Sequence, residues 1–406
     1  MKALTLLSLL LVSSSLTSNE NNASLDTYIS DLKKKQFEYD YEKNDQESSK
    51  LRDSWIAPIQ LYYSYSRSKP KSEELTSKDM GIKINQPIFQ SGGIYYGIRY
   101  ANAMRLYNDY TIDVAKRKMI KDTISILMQL KKADLQEQRQ ELQIENADIN
   151  LEQKKEEYLS GRLDSGFLDD AIIQRNVAKQ ALIDIENSKQ KLVTQFQVLS
   201  DLDYKNAAIP HLELIDEDEF LKHNIVLKQV KSQIEKDRYY KNVTIAKYLP
   251  NVNLTAGYTW SESERFLGEG FPIATNKLNY YNYGFDVSMP LDINMFNDIE
   301  SVKLDFLKSK VVQEDKKQEL AKLFEQVLLN IENFDKKIAL SQENIELYSK
   351  LLDDTKALYS AGYKTEYDVE NLQNSLEIQK IDAKMYEIDK QIELLTLYEM
   401  YVNNGE

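Results

Sequence analysis

The sequence predicts a mainly α-helical, internally duplicated protein that also supplies four transmembrane strands to a membrane β-barrel. Three observations predict this fold. One order of elements occurs twice, long segments with helical periodicity are uninterrupted by Pro or Gly, and four short segments alternate apolar and polar residues. A chain of 406 residues would ordinarily form two or three globular domains. A duplicated, elongated unit instead packs against its own copies, because it cannot bury its apolar face alone.

The repeated unit consists of a polar helix, a strand pair bracketed by prolines, a very long helix, a glycine-marked turn and a shorter helix. Its landmarks recur about 200 residues apart. They are Pro58 and Pro250, Pro87 and Pro290, and Gly161 and Gly362. The small drift in this spacing indicates that both copies retain the same elements.

The composition and the first residues narrow the class of protein. The net charge of −13 disfavours a nucleic-acid binder, which would show a basic surface. Residues 1–22 place Lys2 before an apolar run and a Ser/Thr-rich stretch, which predicts a signal peptide, with a buried helix or a membrane anchor as the alternatives. The sequence has no Cys, so we expect no disulfide, no thiolate metal site and no lipid-modified cysteine.

Two very long helices and their return helices predict antiparallel hairpins. We predict helices over about 97–160 and 166–200 in the first repeat, and over about 297–360 and 366–400 in the second. Apolar residues of the second hairpin step by three and four, as in a coiled-coil seam. These residues are Leu320, Phe324, Val327, Ile331, Phe334 and Ile338 on the long helix, and Ile378, Ile381, Met385, Ile388, Ile392 and Leu395 on the return helix.

Each repeat also begins with a shorter helix, over about 26–50 and 222–247. Placed end to end with a return helix, such a helix roughly matches one long helix in length, because the rise per residue is the same. Two short helices beside one long helix predict a wall of uniform height, an α-barrel.

Four segments of alternating residues predict strands, over about 56–67, 79–90, 250–261 and 279–291. One face is apolar and aromatic. It comprises Ile59, Leu61, Tyr63 and Tyr65, then Met80, Ile82 and Ile84, then Val252, Leu254, Ala256, Tyr258 and Trp260, and finally Tyr281, Tyr283, Phe285, Val287 and Met289. The other face is too polar for a sandwich core and suits the lumen of an outer-membrane barrel. A half-buried sheet of a soluble domain is the alternative.

Four strands cannot close a barrel by themselves. The smallest membrane barrels have about 8 strands, and an open sheet edge is unfavourable in lipid. The strands must therefore be pooled between chains, and three copies would supply twelve strands and twelve helical columns. In such a trimer, Arg67–Lys78 and Glu262–Lys277 would be the outward-facing hairpin loops.

These elements divide the chain into four parts. The parts are the signal peptide at 1–22, a first repeat at 23–205, an equatorial link at 206–221 and a second repeat at 222–406.

The sequence carries no catalytic constellation, and we assign no catalytic, cofactor-binding or metal-ligating residue. His211 and His223 lie at the link beside acidic residues, but their spacing matches no ligand motif and the stretch has no glycine for a calcium loop. Gly92 and Gly93 lack the lysine and hydroxyl that follow a phosphate-binding loop. We interpret the link as a solvated belt around the middle of the predicted α-barrel.

The mature chain, about residues 24–402, resembles the TolC-like outer-membrane efflux protein family. The resemblance rests on the duplicated order, on the strand-to-helix passage QPIFQSGGIYYGIRYANAMRL and on the turn GYKTEYDVENLQNSLEIQ. It implies a homotrimer with a twelve-stranded barrel in the outer membrane of a Gram-negative bacterium and a helical tunnel in the periplasm. It further implies a passive exit duct of a tripartite efflux pump or type I secretion system. The implied partners are a periplasmic adaptor (membrane fusion) protein and an inner-membrane RND or ABC transporter.

By this resemblance, the two hairpin turns form the periplasmic tip that meets the adaptor. The residues concerned are Gly161 and Arg162 in the first turn, and Gly362, Tyr363 and Lys364 in the second. Lys364 matches a basic residue that holds the tip closed in some members of the family.

The resemblance also assigns a narrowed periplasmic entrance to the second turn. Asp368, followed by Val369, matches an acidic residue that lines this entrance, and Glu370 is adjacent. The family often has a second acid where this chain has Asn371. The equivalent of Asp368 in the first repeat is Phe167, so the two tips are not interchangeable. The alternative role of Asp368 is that of a first-turn helix acid.

Two other classes of protein stay open from the sequence. A periplasmic adaptor also has a helical hairpin, but it carries one hairpin and a compact β-domain. A structural coiled-coil surface protein would account for the helices and not for the strands. A channel would need detergent for its extraction, whereas a soluble rod would not.

Overall fold

A computed structural model describes residues 25–69, 73–267 and 272–402. The expected signal peptide lies outside these residues. The elements, after a short 3-10 turn at Leu25–Tyr28, are α1 (Asp31–Arg52), β1 (Gln60–Ser68), β2 (Glu73–Phe89), α2 (Gly93–Leu159), α3 (Ser165–Leu199), α4 (Glu217–Lys222), α5 (Ile225–Lys247), β3 (Asn251–Leu267), β4 (Pro272–Ser288), α6 (Met295–Ser360) and α7 (Glu366–Tyr398). Among the described helices, none is both long and apolar enough to cross a membrane.

The helices form a wall one layer thick. The long helix α2 packs against α1 and α3 on one side and against α5 and α7 on the other. The second long helix, α6, packs against α5 and α7. The order across the wall is therefore α1–α2–α5–α6 in one half and α3–α2–α7–α6 in the other. This order leaves α6 at one edge of the wall and α1 with α3 at the opposite edge.

The shorter helices meet end to end, as their lengths predict. The backbone N–H of Ser30, which caps α1, donates to the carbonyl of Leu199 at the end of α3 over 2.8 Å. In the second repeat, the N–H of Ile225 at the start of α5 donates to the carbonyl of Met400 just after α7, also over 2.8 Å. Both junctions use the same type of bond, so the predicted duplication is visible in the backbone.

The apolar core lies beside these junctions, where the link crosses the wall. The acids of the link are exposed, as expected of a solvated belt, whereas Leu212, Ile215 and Phe220 are buried in this core. The ring of Phe220 packs 5.7 Å from that of Phe324 in α6. The high proportion of acids in the link hid the apolar residues that anchor it. The long helices and α7 contribute Ile124, Met128, Leu320, Phe324, Val327, Leu394, Leu395 and Leu397 to the core.

The four strands form one antiparallel sheet in the order β1-β2-β3-β4. Paired residues share a face, and Tyr63 pairs with Met80, which pairs with Trp260. In the same way, Tyr258 pairs with both Ile82 and Tyr281. The register therefore gathers the predicted apolar residues of all four strands on one face, and the fold class predicted from the alternation is confirmed.

Three strands are longer than predicted. Most residues of the two expected outward-facing loops, Arg67–Lys78 and Glu262–Lys277, belong to strands instead. β2 begins at Glu73, β3 ends at Leu267 and β4 begins at Pro272. In this extension, charged residues occupy the face that is apolar in the rest of the sheet. Lys78 lies 3.8 Å from Glu264, and Lys277 lies 3.4 Å from Glu262. Cross-strand ion pairs replace the apolar alternation on which the strand prediction depended.

We expect Tyr41→Phe to loosen α1 from the wall. The Tyr41 hydroxyl donates to the carboxylate of Asp113 in α2. Burial, this bond and nearby carboxylates raise the pKa of Tyr41 above its ordinary 10.0. A raised tyrosine pKa contributes stability that is complete below pH ~10 and is lost as the pH rises through the raised value. We therefore expect a loss of about 1.5–3 kcal/mol at pH 7, the usual contribution of a hydrogen bond to a charged group.

Thermal unfolding of the detergent-solubilised protein, followed by circular dichroism between pH 7 and pH 11, would measure this loss. The exposed Tyr39 of the same helix supplies the control Tyr39→Phe, which should leave the melting temperature unchanged. A melting temperature of Tyr41→Phe equal to that of the wild type at pH 7 would contradict the assigned bond.

Candidate functional site

The two hairpin turns at one end of the wall have the same backbone geometry. The N–H of Arg162 donates to the carbonyl of Glu157, and the N–H of Tyr363 donates to the carbonyl of Leu358, each over 2.9 Å. These six-to-one bonds define a Schellman motif, in which a left-handed residue ends the helix. That residue is glycine in both turns, with a φ of 72° at Gly161 and 80° at Gly362.

The surroundings of both turn glycines are open. A Cβ atom built at Gly161 or Gly362 would meet no other atom within 4 Å. Only the positive φ therefore requires glycine at these positions. Apolar and aromatic side chains beside them are exposed, with Leu159 at 75% and Tyr363 at 81% exposure. The tips thus present short turns with free surface around them.

The two turns differ in how the next helix begins. Thr365 caps α7 with a capping box, in which its hydroxyl accepts from the N–H of Asp368 and its own N–H donates to the Asp368 carboxylate. In the first repeat, Asp164 stands at the helix start without a side-chain capping bond, and Phe167 replaces the acid. Only the second tip carries a carboxylate fixed at this position.

The carboxylate of Asp368 is held on both sides. One oxygen accepts from the Thr365 N–H over 2.9 Å, and the other lies 3.7 Å from the ammonium of Lys364. The backbone bond from Thr365, assisted by the Thr365 hydroxyl and Lys364, lowers the pKa of Asp368 below its usual range. The acid therefore stays ionised at neutral pH, and it makes the contacts of a helix-start residue. Glu370, two residues further along, is exposed, and Asn371 is half-buried.

A ladder of polar contacts joins the two hairpins between α2 and α7. The rungs are Lys132–Asp389 (2.7 Å), Arg139–Asp382 (2.8 Å), Asn146–Asn374 (3.0 Å) and Glu156–Tyr367 (3.1 Å). The last rung lies beside the tip, where the bond to Glu156 raises the pKa of Tyr367. Sequence reasoning missed this ladder, although three of its α2 residues are spaced seven apart and their α7 partners seven or eight apart.

The two histidines lie away from the tips. His223 ends α4, and its ring packs 6.2 Å from that of Tyr401. The Tyr401 hydroxyl donates to Glu219 over 2.7 Å, and this bond raises the pKa of Tyr401 to about 12. These contacts fasten the residues after α7 to the link. Over the described ranges, no three acidic or histidine side chains are placed to hold a metal ion.

On the polar face of the sheet, one side-chain hydrogen bond joins β1 to β3 across β2. Tyr62 of β1 pairs with Gly81 of β2, which pairs with Thr259 of β3. The Tyr62 hydroxyl reaches over Gly81 to the Thr259 hydroxyl at 2.8 Å. A Cβ at Gly81 would lie 2.7 Å from the Tyr62 oxygen, so glycine leaves the space for this crossing.

Comparisons with known proteins agree with this arrangement. Residues 218–401 match the outer membrane efflux protein family. No curated protein sequence gives a significant match to the chain. The fold is similar to that of the outer membrane channel CmeC of Campylobacter jejuni, with a TM-score of 0.72 and 14% identity over 94% of this chain and 86% of that chain.

Two further solved structures have the same fold. The outer membrane protein VceC of Vibrio cholerae gives a TM-score of 0.69 at 12% identity, covering 91% of this chain and 93% of that chain. The open state of the MtrE outer membrane channel of Neisseria gonorrhoeae gives 0.64 at 13% identity, covering 93% and 87%. At such identities these similarities establish the fold alone.

The family match falls on the second repeat, which contains Gly362 and Asp368, and the structural similarity extends through both repeats. The family consists of outer-membrane channels of tripartite efflux pumps in Gram-negative bacteria. An adaptor or a structural coiled coil is therefore not favoured for this chain. Members of this family have a long periplasmic helical domain, which corresponds to the hairpins of this chain. The second repeat is thus similar to the outer membrane efflux protein family, and both repeats share the fold of solved outer membrane channels.

Proposed function

We propose that three copies of this chain form one closed channel that conducts cargo passively from the periplasm to the exterior. The observation that carries this proposal is the single sheet with two free edges. β1 and β4 are its outer strands, and each lacks a partner on one side within the described chain. Strands alternate in direction across the sheet, so β4 of one copy and β1 of the next are antiparallel. Twelve strands then close without an edge in lipid.

The edges of the helical wall support the same assembly. α6 exposes leucine and valine on the side turned away from α5 and α7, and α3 exposes isoleucine and valine on the opposite edge of the wall. These side chains are Leu304, Leu307, Val311, Leu340 and Leu347 on α6, and Ile173, Val177 and Ile183 on α3. Exposed apolar side chains that recur on the outer side of an otherwise polar helix favour a contact with another chain at those points. We assign α6 of one copy to pack against α1 and α3 of the next.

The partners follow from the free tips. The turns at Gly161–Arg162 and at Gly362–Lys364 dock a periplasmic adaptor protein, which links the channel to an inner-membrane RND or ABC transporter. The transporter supplies the energy, and the channel has no enzymatic activity of its own. The exposed side chains beside both turn glycines support this role, because they leave the turn backbones accessible.

Purified protein tests the proposal directly. Mass measurement in detergent should give three chains per particle, and reconstitution in planar bilayers should give discrete single-channel currents. A bacterium that lacks the protein should retain the pump's cargo and recover when the protein is restored. A stable monomer that produces no currents would contradict the proposal.

We expect Asp368→Asn to reduce the cation preference of the channel. Three copies of the carboxylate would surround one axis at a narrow mouth, where a low-dielectric wall focuses their negative potential. The reversal potential under a salt gradient should shift toward the value for a non-selective pore, with the permeability ratio falling by about threefold.

Thr365→Ala is the matched control for this measurement, because it removes the capping hydroxyl and keeps the charge of Asp368. If Asp368 lines the entrance, only Asp368→Asn changes the selectivity. If the residue acts only as a helix-start acid, neither variant shifts the reversal potential, and the narrowest point lies elsewhere.

A further inference from the structure

The polar face of the sheet carries charged residues of alternating sign at regular steps. Asp286 pairs with Asn253, Lys83 with Gly257, Asp79 with Ser261, and Arg265 lies four residues beyond Ser261 on β3. Each step along β3 is four residues, or about 13 Å of strand. In a barrel with three copies, these residues form four rings of three charges, in the order acidic, basic, acidic, basic from the helical end.

The carboxylates of the two acidic rings accept hydrogen bonds from neighbouring side chains on the sheet. Asp79 accepts hydrogen bonds from the hydroxyls of Ser77 (3.0 Å) and Ser261. Asp286 accepts from the side-chain amide of Asn253 over 3.2 Å. These bonds direct the carboxylates along the sheet toward their partners and spread their charge over neutral dipoles.

Lys83 differs, because its partner is an aromatic ring. The Lys83 ammonium lies 5.4 Å from the centroid of the Tyr62 ring. Within the described residues, no ion pair neutralises Lys83, and its side chain is exposed. A cation over an aromatic face is attracted by the ring and keeps its full charge. The bond from Tyr62 to Thr259 across Gly81 fixes the ring on which the ammonium rests.

We infer that Lys83 forms an anion-attracting ring in the barrel lumen, a binding station for small anions and for anionic parts of the cargo. The inference rests on the proposed trimeric channel, which turns the polar face inward. A ring of like charges inside low-dielectric walls concentrates the opposite ion. The sign is opposite to that of Asp368 at the periplasmic tip, so the two ends of the channel would discriminate differently.

The absence of native Cys allows a direct measurement of this potential. Asn85→Cys places one reporter thiol two residues from Lys83, on the same face of β2. An anionic and a cationic methanethiosulfonate reagent of similar size are added from outside to assembled trimers at low salt. We expect the anionic reagent to be favoured. The ratio of the two modification rates should fall about fivefold when Lys83→Gln is added. A change in thiol acidity affects both reagents equally and cancels in the ratio.

Two variants complete the test. Lys83→Arg should keep the wild-type ratio. Lys78→Gln removes a lysine five residues away on the outward face, where it pairs with Glu264 at 3.8 Å, and should also leave the ratio unchanged. Equal ratios in Lys83→Gln and Lys78→Gln would overturn the Lys83 ring while leaving the channel intact. A reporter that neither water-soluble reagent reaches would instead contradict the proposed function, because the polar face would not line a lumen.

Discussion

Replacing Leu340 and Leu347 with aspartate is expected to abolish the trimer. Both leucines are 57% exposed in the single chain and lie seven residues apart on α6. In the proposed trimer each would be covered by the neighbouring copy. Loss of their remaining burial costs about 1–2 kcal/mol per leucine. Burying an unpaired carboxylate adds several kcal/mol at each site. Because the substitution acts at all three interfaces, size-exclusion chromatography with light scattering should show only monomers.

The control places the same charges on another exposed side of the same turns. Gln342→Asp with Ser349→Asp adds two carboxylates seven residues apart, at positions that are exposed and polar in the wild type. This variant should remain trimeric. A trimer in the leucine double variant would place the subunit interface away from α6.

Replacing Gly161 and Gly362 with valine is expected to abolish export and to preserve the trimer and its insertion in the membrane. Their φ values of 72° and 80° are unfavourable for any residue with a Cβ. A β-branched residue there costs about 2 kcal/mol, which is enough to change the shape of a turn. The long hairpins are stabilised elsewhere, by the core beside the helix junctions. Cargo retention in cells and co-purification of the adaptor would measure the effect.

The matched control replaces both glycines with asparagine, which tolerates the left-handed conformation better than other residues. Since nothing lies within 4 Å of the built Cβ atoms, asparagine fits the isolated chain. Retained export in this variant would mean that the adaptor needs the shape of the turn. Loss of export would mean that it approaches the bare backbone. Normal export in the valine variant would count against docking at the tips.

The architecture could be predicted from the sequence because its signals are long and periodic. The seam from Leu320 to Ile338 and the alternation from Val252 to Trp260 each extend over several turns or residue pairs, and the duplication states each signal twice. The end-to-end helix junctions were predictable from lengths alone. The strand ends were not, because beyond Trp260 the outward residues become charged and the periodic signal stops, while ion pairs such as Lys277–Glu262 continue the ladder.

The candidate site was predictable only in part. Glycines at the two turns mark the tips, because a left-handed helix end selects glycine. The capping box of Thr365 and Asp368 is a local pattern that the sequence also displays. The contact between Glu156 and Tyr367 leaves no local pattern in the sequence, because it joins residues more than 200 positions apart. Such pairs depend on how two hairpins lie against each other, which periodicity within one helix does not specify.

The extension of β2, β3 and β4 beyond their apolar bands bears on where cargo leaves the proposed channel. The outward apolar band of β3 ends at Trp260, and the strand continues to Leu267 with Glu262 and Glu264 facing outward. Seven residues at about 3.3 Å each, on a strand tilted by some 40°, raise the rim by about 18 Å. An apolar compound released at that height would enter water well above the lipid headgroups. In the proposed channel, a rim of this height would slow the return of such a compound to the bilayer.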